Sequence, residues 1–161
     1  MSVFSESLQA KIQSFLTRYE TKRSAILPVL HAIQDEHGWV SEPQIEELHH
    51  TYGLDRVHVK EVISFYDIYK DHPVRKYQIR YCKNLTCHML GAREAICRIK
   101  EHITALDAQL GEDGPFSLEE FPCLGKCDGA PVMLVNKERV EHATVDRVDE
   151  ILAKYAPLPK L

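Results

Sequence analysis

The chain has no glycine-rich phosphate loop. Its seven glycines are scattered singly, and neither G-x-G-x-x-G nor the P-loop pattern occurs, so nothing in it can cradle the phosphates of NAD or a flavin. No apolar run approaches the ~18 residues that a membrane-spanning helix needs. The first residues, MSVFSESLQAK, lack the basic region and apolar core of a secretory signal. Basic residues do not exceed acidic ones. The net charge of −4 excludes the electrostatic footprint of a nucleic-acid binder. No H-x3-H appears with a carboxylate base, and no nucleophile–base pair stands out, so no catalytic residue is assigned. The five cysteines are odd in number and lie in the second half, unlike an extracellular disulfide framework. The expected compartment is reducing cytoplasm, with the thiols used for metal, redox or packing.

What is present is four thiols in two close pairs. Cys82 and Cys87 lie in RYCKNLTCHMLGA; Cys123 and Cys127 lie in FPCLGKCDGAPVMLVN. The spacing is C-x4-C, then 35 intervening residues, then C-x3-C. Neither pair is C-x-x-C, which argues against thioredoxin-type dithiol chemistry. Each pair falls where a strand gives way to a loop. If those strands are neighbours in a sheet, both loops emerge at one edge and four sulfurs converge. Four thiolates can hold a 2Fe–2S centre. The C-x4-C loop is wider than that of most zinc ribbons and so favours the cluster, with structural zinc as the alternative. The order also differs from the plant-type ferredoxin spacing. Cys97 reads as a buried or half-buried thiol on a helix.

The rest of the chain reads as a frame. Residues 1–70 look helical throughout. Leu8, Ile12, Phe15, Leu16 and Tyr19 form one amphipathic stripe, and Ile26, Val29, Leu30, Ile33 and His37 form a second that ends at Gly38. Pro28 inside the second should bend it or remove a hydrogen bond. Ser41 and Gln44 look like a capping box for a helix bearing Ile45, Leu48, His49 and Tyr52. Asp55 reads as the cap of a fourth, with Val59, Val62, Ile63 and Tyr66 inward. The character changes near Asp71-His72-Pro73. Tyr77, Ile79 and Tyr81 alternate as a strand over 77–82. A helix is expected over about 89–108, then a loop at 111–115 and a strand from Phe116. Val132–Val135 reads as a strand buried on both faces, turned by Asn136-Lys137 into a partner around Arg139–His142. A last helix capped by Thr144, with Val148, Ile151, Leu152 and Tyr155 on its face, ends at Pro157-Leu158-Pro159. The fold class is α+β: a four-helix bundle over 1–72, then a small mixed sheet flanked by helices over 73–161.

Other polar groups read as structural. His49, His50 and His58 lie on helices, and His31 and His37 on helix faces. His88, beside Cys87, is the only histidine near the thiols. Glu46-Glu47 and Glu119-Glu120 read as solvated faces, and Trp39, Phe65, Tyr66 and Tyr69 as core or interface.

RYCKNLTCHMLGA and FPCLGKCDGAPVMLVN resemble the thioredoxin-like 2Fe–2S subunit of the NADH-oxidising module of respiratory complex I. The same small subunit recurs in NAD-linked hydrogenases and formate dehydrogenases. KRSAILPVLHAIQDEHGWVS and EVISFYDIY resemble that family's helical region, and the resemblance spans roughly residues 15–156. It rests on the thiol spacing, the glycine after C-x4-C and the Ala-Pro after C-x3-C. The resemblance implies a thioredoxin-like 2Fe–2S ferredoxin domain with Cys82, Cys87, Cys123 and Cys127 as the ligands of one cluster. It also implies a one-electron carrier in an NADH:quinone oxidoreductase, or the equivalent subunit of a hydrogenase or formate dehydrogenase. FMN and NAD(H) would sit on a partner flavoprotein, with further iron–sulfur subunits beyond it. Residues 1–72 would be the docking module. There would be no nucleic acid and no direct membrane insertion, and the location would be cytoplasmic, reaching a membrane's inner face only through the complex. The zinc-stabilised interaction protein is the rival of another class. Lys126 departs from the family's usual small residue. A cation there is expected to stabilise the reduced state and raise the potential. Helix polarity is expected to lower the Cys87 pKa, and Gly91, Gly125 and Gly129 to admit backbone close to the sulfurs.

Overall fold

A computed structural model describes residues 2–158, apart from the side chain of Glu112. Pro159 lies outside the described residues. The chain divides into two compact units, one ending at Val74 and one beginning at Arg75.

The first unit contains α1 (Glu6–Arg18), α2 (Ile26–His37), α3 (Glu42–Tyr52) and α4 (Arg56–Phe65), with a 3-10 turn at Arg23–Ala25 before α2. Each begins and ends where its chemistry allows. Ser5 accepts the Leu8 N–H and Asp55 those of Val57 and His58. At α3 the Ser41 N–H donates to Gln44 Oε1 at 2.8 Å. Gly38 and Gly53 close α2 and α3 in the left-handed region, where a side chain would be strained. Leu8, Ile12, Val29, Leu30, Ile33, Leu48 and Val59 make the core.

Two expectations change here. Pro28 is the third residue of α2. In a first turn its missing N–H would have had no intrahelical partner, so neither bend nor loss follows. Nor is the segment helical through residue 70. After Phe65 the chain leaves the helix and is pinned to α2: Tyr69 Oη donates to Leu27 O at 3.0 Å and the Lys70 N–H to Gln34 Oε1 at 2.8 Å. Burial pushes the Tyr69 pKa up to about 12, with Tyr66 adding to it. Tyr66 itself is the C-cap of α4 and partly exposed rather than inward.

The second unit is a four-stranded sheet with three helices. β1 (Tyr77–Cys82) leads through α5 (Leu85–Met89) and α6 (Ala92–Leu110) to β2 (Phe116–Phe121). β3 (Met133–Val135), β4 (Glu138–Val140) and α7 (Val145–Ala153) follow. The order is β2-β1-β3-β4. β1 pairs parallel with β2, from Tyr77 opposite Phe116 to Cys82 opposite Phe121, and antiparallel with β3. A parallel pair needs a long crossover, which the two helices supply. Ile79 and Tyr81 are buried while Gln78 and Arg80 are only half so. Ile79, Tyr81, Ile99, Met133, Val148 and Leu152 lie in one core, each aliphatic one worth roughly 1.5–3 kcal/mol on burial. β2 is an edge strand, and its Glu119 and Glu120 discourage further strand pairing. In β3 only Leu134 is not fully buried. Asn136, in the left-handed region, turns the chain into β4. Thr144 holds the N-cap position of α7, but its side chain makes no cap bond.

The single helix expected over 89–108 is two. Gly91, at φ 89°, separates α5 from α6, so Cys87 stands inside a short helix rather than ahead of a long one. α6 and α7 are clasped by a network that local sequence patterns do not single out. Arg98 forks onto Asp149 at 2.7 and 3.0 Å, and His102 Nε2 lies 2.7 Å from Asp149 Oδ1. Arg98 first, then His102, holds the Asp149 carboxyl down to about 2 against an ordinary 3.8. A depressed carboxylate stabilises the fold above its unfolded pKa and loses that contribution as pH falls through its folded one. Melting temperatures of the wild type and Asp149→Asn should therefore differ at neutral pH and converge as the pH falls from 3.8 toward about 2. A gap that persists unchanged through that window would contradict this.

Candidate metal centre

The parallel register carries both strands to the same end of the sheet. Cys82 is the last residue of β1, and Phe121 opposite it leads through Pro122 to Cys123. The two neighbouring strands thus deliver both thiol pairs to one edge, as the spacing anticipates. The join is sealed by backbone bonds: Lys83 N–H to Phe121 O at 3.0 Å and Cys82 N–H to Val132 O at 3.1 Å. Asn84, unremarked in the sequence, ties the two loops together. Its Oδ1 caps α5 at the Leu85 N–H, 2.8 Å away, while its Nδ2 donates to Pro122 O at 3.1 Å. An asparagine just before a short helix is the signal that would have found it. The C-x3-C loop is held from behind, with the His142 N–H on Gly129 O and the Ala143 N–H on Pro131 O, both at 2.8 Å.

The thiols fall into an inner and an outer pair. Cys82 and Cys87 are buried; Cys123 and Cys127 are exposed. Cys82 lies within electrostatic reach of Cys87 and Cys123, and Cys87 within reach of Cys127. Burial pushes the Cys82 pKa up, but the backbone N–H groups of Asn84 and Leu124 and the neighbouring thiols outweigh it, and the net shift is downward. Burial raises Cys87 to about 11, with the negative charge of Cys82 and Cys127 adding to it. This overturns the expectation that helix polarity lowers Cys87: α5 has only five residues, and desolvation with thiolate repulsion exceeds whatever it supplies. The Gly125 N–H donates to Cys123 Sγ at 3.4 Å, the kind of N–H···S contact that tunes an iron–sulfur site. Gly129 has another role: a Cβ there would lie 2.5 Å from the Glu141 carboxylate, so it makes room for Glu141 and not for a sulfur.

Among the described residues no group of three or more histidine, cysteine, aspartate or glutamate side chains is placed to hold a single metal ion. A tetrahedral zinc needs all its sulfurs about 2.3 Å from one point. A two-iron cluster divides four thiolates between two centres, and an all-cysteine donor set is its ordinary chemistry. Four thiols at one sheet edge, an inner pair buried and an outer pair open, suit that group.

The expectation for Cys97 is corrected here, and Lys126, the histidines and Glu120 are given their partners. Cys97 is exposed on α6 and not buried or half-buried. Lys126 is not a free cation: it is bound to Asp128, and its Nζ lies 3.9 Å from Glu141 Oε1. Histidines 49, 50 and 58 face local partners, namely Leu54 O, Glu46 and Asp55. Glu120 is engaged by Lys100 at 2.6 Å. A cavity of about 630 Å³ lies in the helical unit between Trp39, Tyr66 and Tyr69. Its charged rim is paired internally, Glu42 with Lys60 at 2.9 Å and Asp71 with His72 at 2.7 Å.

A mixed sheet that gathers four cysteines at one edge, with no nucleotide loop, defines an iron–sulfur electron-transfer domain. Residues 12–156 match the family model of the thioredoxin-like 2Fe–2S ferredoxins, and the chain belongs to that family. It is 31% identical over 152 residues to a subunit of the NADH-quinone oxidoreductase of Aquifex aeolicus, covering 94% of this chain and 95% of the relative. It is 35% identical over 153 residues to NADH-quinone oxidoreductase subunit 2 of Thermus thermophilus, covering 93% and 84%. The crystal structure of an air-oxidized NAD+-reducing NiFe hydrogenase shares the fold, with a TM-score of 0.65 at 20% identity over 83% of this chain. The chain spans about 24% of that longer one. None of the described helices is long and apolar enough to cross a membrane.

Proposed function

We propose that this chain is the small 2Fe–2S subunit of an NADH-linked quinone oxidoreductase, with Cys82, Cys87, Cys123 and Cys127 as the cluster ligands. When bound, the cluster supplies one-electron exchange with a flavin carried by a partner flavoprotein, which lies beside further iron–sulfur subunits. The single observation behind this is the parallel β1–β2 register, which ends both strands at the thiol pairs. The chain's own residues hold and shield that edge. Cys82 and Cys87 are kept from solvent, Asn84 locks the two loops, and N–H groups of Asn84, Leu124 and Gly125 favour negative charge on sulfur. No phosphate-binding loop exists on the chain, so NADH and FMN belong to the partner. The helical unit, expected from the sequence over residues 1–72, serves docking in this proposal.

Anaerobically purified protein should be reddish-brown, contain two irons per chain, a 2Fe–2S centre's complement, and give an EPR signal on reduction. A colourless protein with one zinc per chain would sink the reading. Lys126 refines it. With Asp128 and Glu141 on its ammonium, its effect on potential is mostly cancelled. Lys126→Ala should lower the midpoint potential in an EPR-monitored redox titration, and Asp128→Asn, which leaves only Glu141 at 3.9 Å on the cation, should raise it. An opposite order for the two variants would refute the electrostatic argument.

A further inference from the structure

The four thiols are not held alike. Cys82 and Cys87 are buried, so close packing fixes them. Cys123 and Cys127 are exposed, and packing cannot fix a side chain that faces solvent. The β1–β2 register places the start of the second thiol loop, where Phe121 leads to Cys123. Cys127 lies further from the sheet. Its end of the loop is held by the link between β4 and α7, residues Glu141, His142 and Ala143.

This link lies across the back of the loop as a strap. The His142 N–H donates to Gly129 O and the Ala143 N–H to Pro131 O, both at 2.8 Å. Neighbouring N–H groups of an extended strand point opposite ways. Here both reach one loop because His142 is in the left-handed region at φ 52°. A non-glycine residue keeps that conformation where its surroundings hold it. Its N–H is engaged by Gly129 and its carbonyl by Arg147 Nη1 of α7 at 3.0 Å. From the sheet, Tyr81 Oη donates to Ala143 O, and both residues are fully buried. Tyr81 directly precedes Cys82, and Pro131 follows Cys127 by four residues. The hydroxyl thus joins the strand that carries an inner thiol to the strap that holds the outer thiol loop.

We propose that Tyr81 is a positioning residue for the cluster: its hydroxyl, acting through the strap Glu141–Ala143, sets the separation between the inner and outer thiol pairs. The proposal rests on the function given above. Tyr81 is not a ligand and acts only through the strap. Four thiolates hold a 2Fe–2S centre, so moving two of them against the other two alters the bonding at iron and is read in the potential and the spectrum. Without the hydroxyl the Ala143 carbonyl is left buried and unpaired, and the strap relaxes away from β1. The ring's own packing in the core is untouched.

The test uses the full chain, purified anaerobically. Tyr81→Phe removes the bond and keeps the ring. Its reduced form should release iron to an excess of bipyridyl about tenfold faster than the wild type, with shifted EPR g-values and midpoint potential. Val148→Ala is the control for stability: Val148 is fully buried on α7 and outside the strap, so its loss should lower the melting temperature and leave the g-values unchanged. If Tyr81→Phe keeps the wild-type g-values and potential, the positioning role is overturned. The same holds if it releases iron no faster than a Val148→Ala protein that melts at or below its own temperature. A second pair of variants tests the strap itself. His142→Val, whose β-branched side chain resists a positive φ, should shift the g-values as Tyr81→Phe does. His142→Asn, which tolerates that conformation, should keep the wild-type spectrum. An asparagine variant that behaves as the valine one would show that the imidazole holds the loop, and would overturn the backbone argument. If the wild-type chain itself carries no 2Fe–2S signal, the function falls and the positioning role with it; if the wild type carries it and Tyr81→Phe is indistinguishable, only the positioning role falls.

Discussion

Cys82→Ser is expected to yield a folded chain that has lost its iron. Cys82 closes the central strand β1, is buried, and has its N–H fixed to Val132 O at 3.1 Å. Serine is nearly isosteric and keeps that backbone bond, so the sheet should survive. Its hydroxyl, however, does not ionise near neutral pH and is a poor substitute for thiolate at iron. Asn84 and Leu124 N–H groups then face an oxygen where they now lower a thiol's pKa. Iron content and the reduced-state EPR spin count should both fall by about tenfold or more, while the far-ultraviolet circular dichroism stays near wild type. Cys97→Ser is the matched control: exposed on α6 and outside the cradle, it should leave both readings unchanged. A full complement of iron in Cys82→Ser, or its loss in Cys97→Ser, would overturn the ligand assignment.

Phe116→Ala is expected to cost about 3–5 kcal/mol, the usual range for deleting a buried phenyl ring. Phe116 is 1% exposed, and its ring centroid lies 5.6 Å from that of Tyr77 on the neighbouring strand. It is the only fully buried residue of the edge strand β2, whose other phenyl ring, Phe121, is half-buried. Its carbonyl also accepts Arg75 Nη1 at 2.8 Å, and the same guanidinium holds Asp107 of α6 at 2.7 Å. Losing the ring loosens β2 from both β1 and the crossover helix. Because β2 carries the chain to Cys123, cluster retention should weaken alongside stability. Urea unfolding followed by far-ultraviolet circular dichroism, with iron retention read on the same samples, checks both. A loss under 1 kcal/mol, below the range for any large-to-small core change of this kind, would show that β2 is held by something other than this packing.

The sequence carried much of the site because thiol spacing and strand ends are local properties. Tyr77, Ile79 and Tyr81 alternate up to Cys82, and the strand is found over Tyr77–Cys82. Capping at Ser41 and Asp55 and stops at Gly38 and Gly53 were equally legible, because a cap is made within a few residues. What it missed depends on residues far apart along the chain. Pairing of Lys126 with Glu141, exposure of Cys97, and the clasp of Arg98 and His102 on Asp149 are set by which elements lie side by side. Pro28 was misjudged because its effect depends on its position in the helix, and that position is fixed by where the preceding 3-10 turn gives way.

Composition and motif by themselves determined that this chain carries four thiols in two close pairs and no glycine-rich phosphate loop. Only the tertiary structure decided that β1 and β2 run parallel as neighbours, which brings the pairs to one edge. It alone decided that Cys82 and Cys87 are the buried half of the cradle, and that the Tyr81 hydroxyl meets Ala143. The physical reason is that a sheet's strand order and a side chain's desolvation are collective quantities, set by loop closure and packing across the whole unit. No short stretch of sequence contains them.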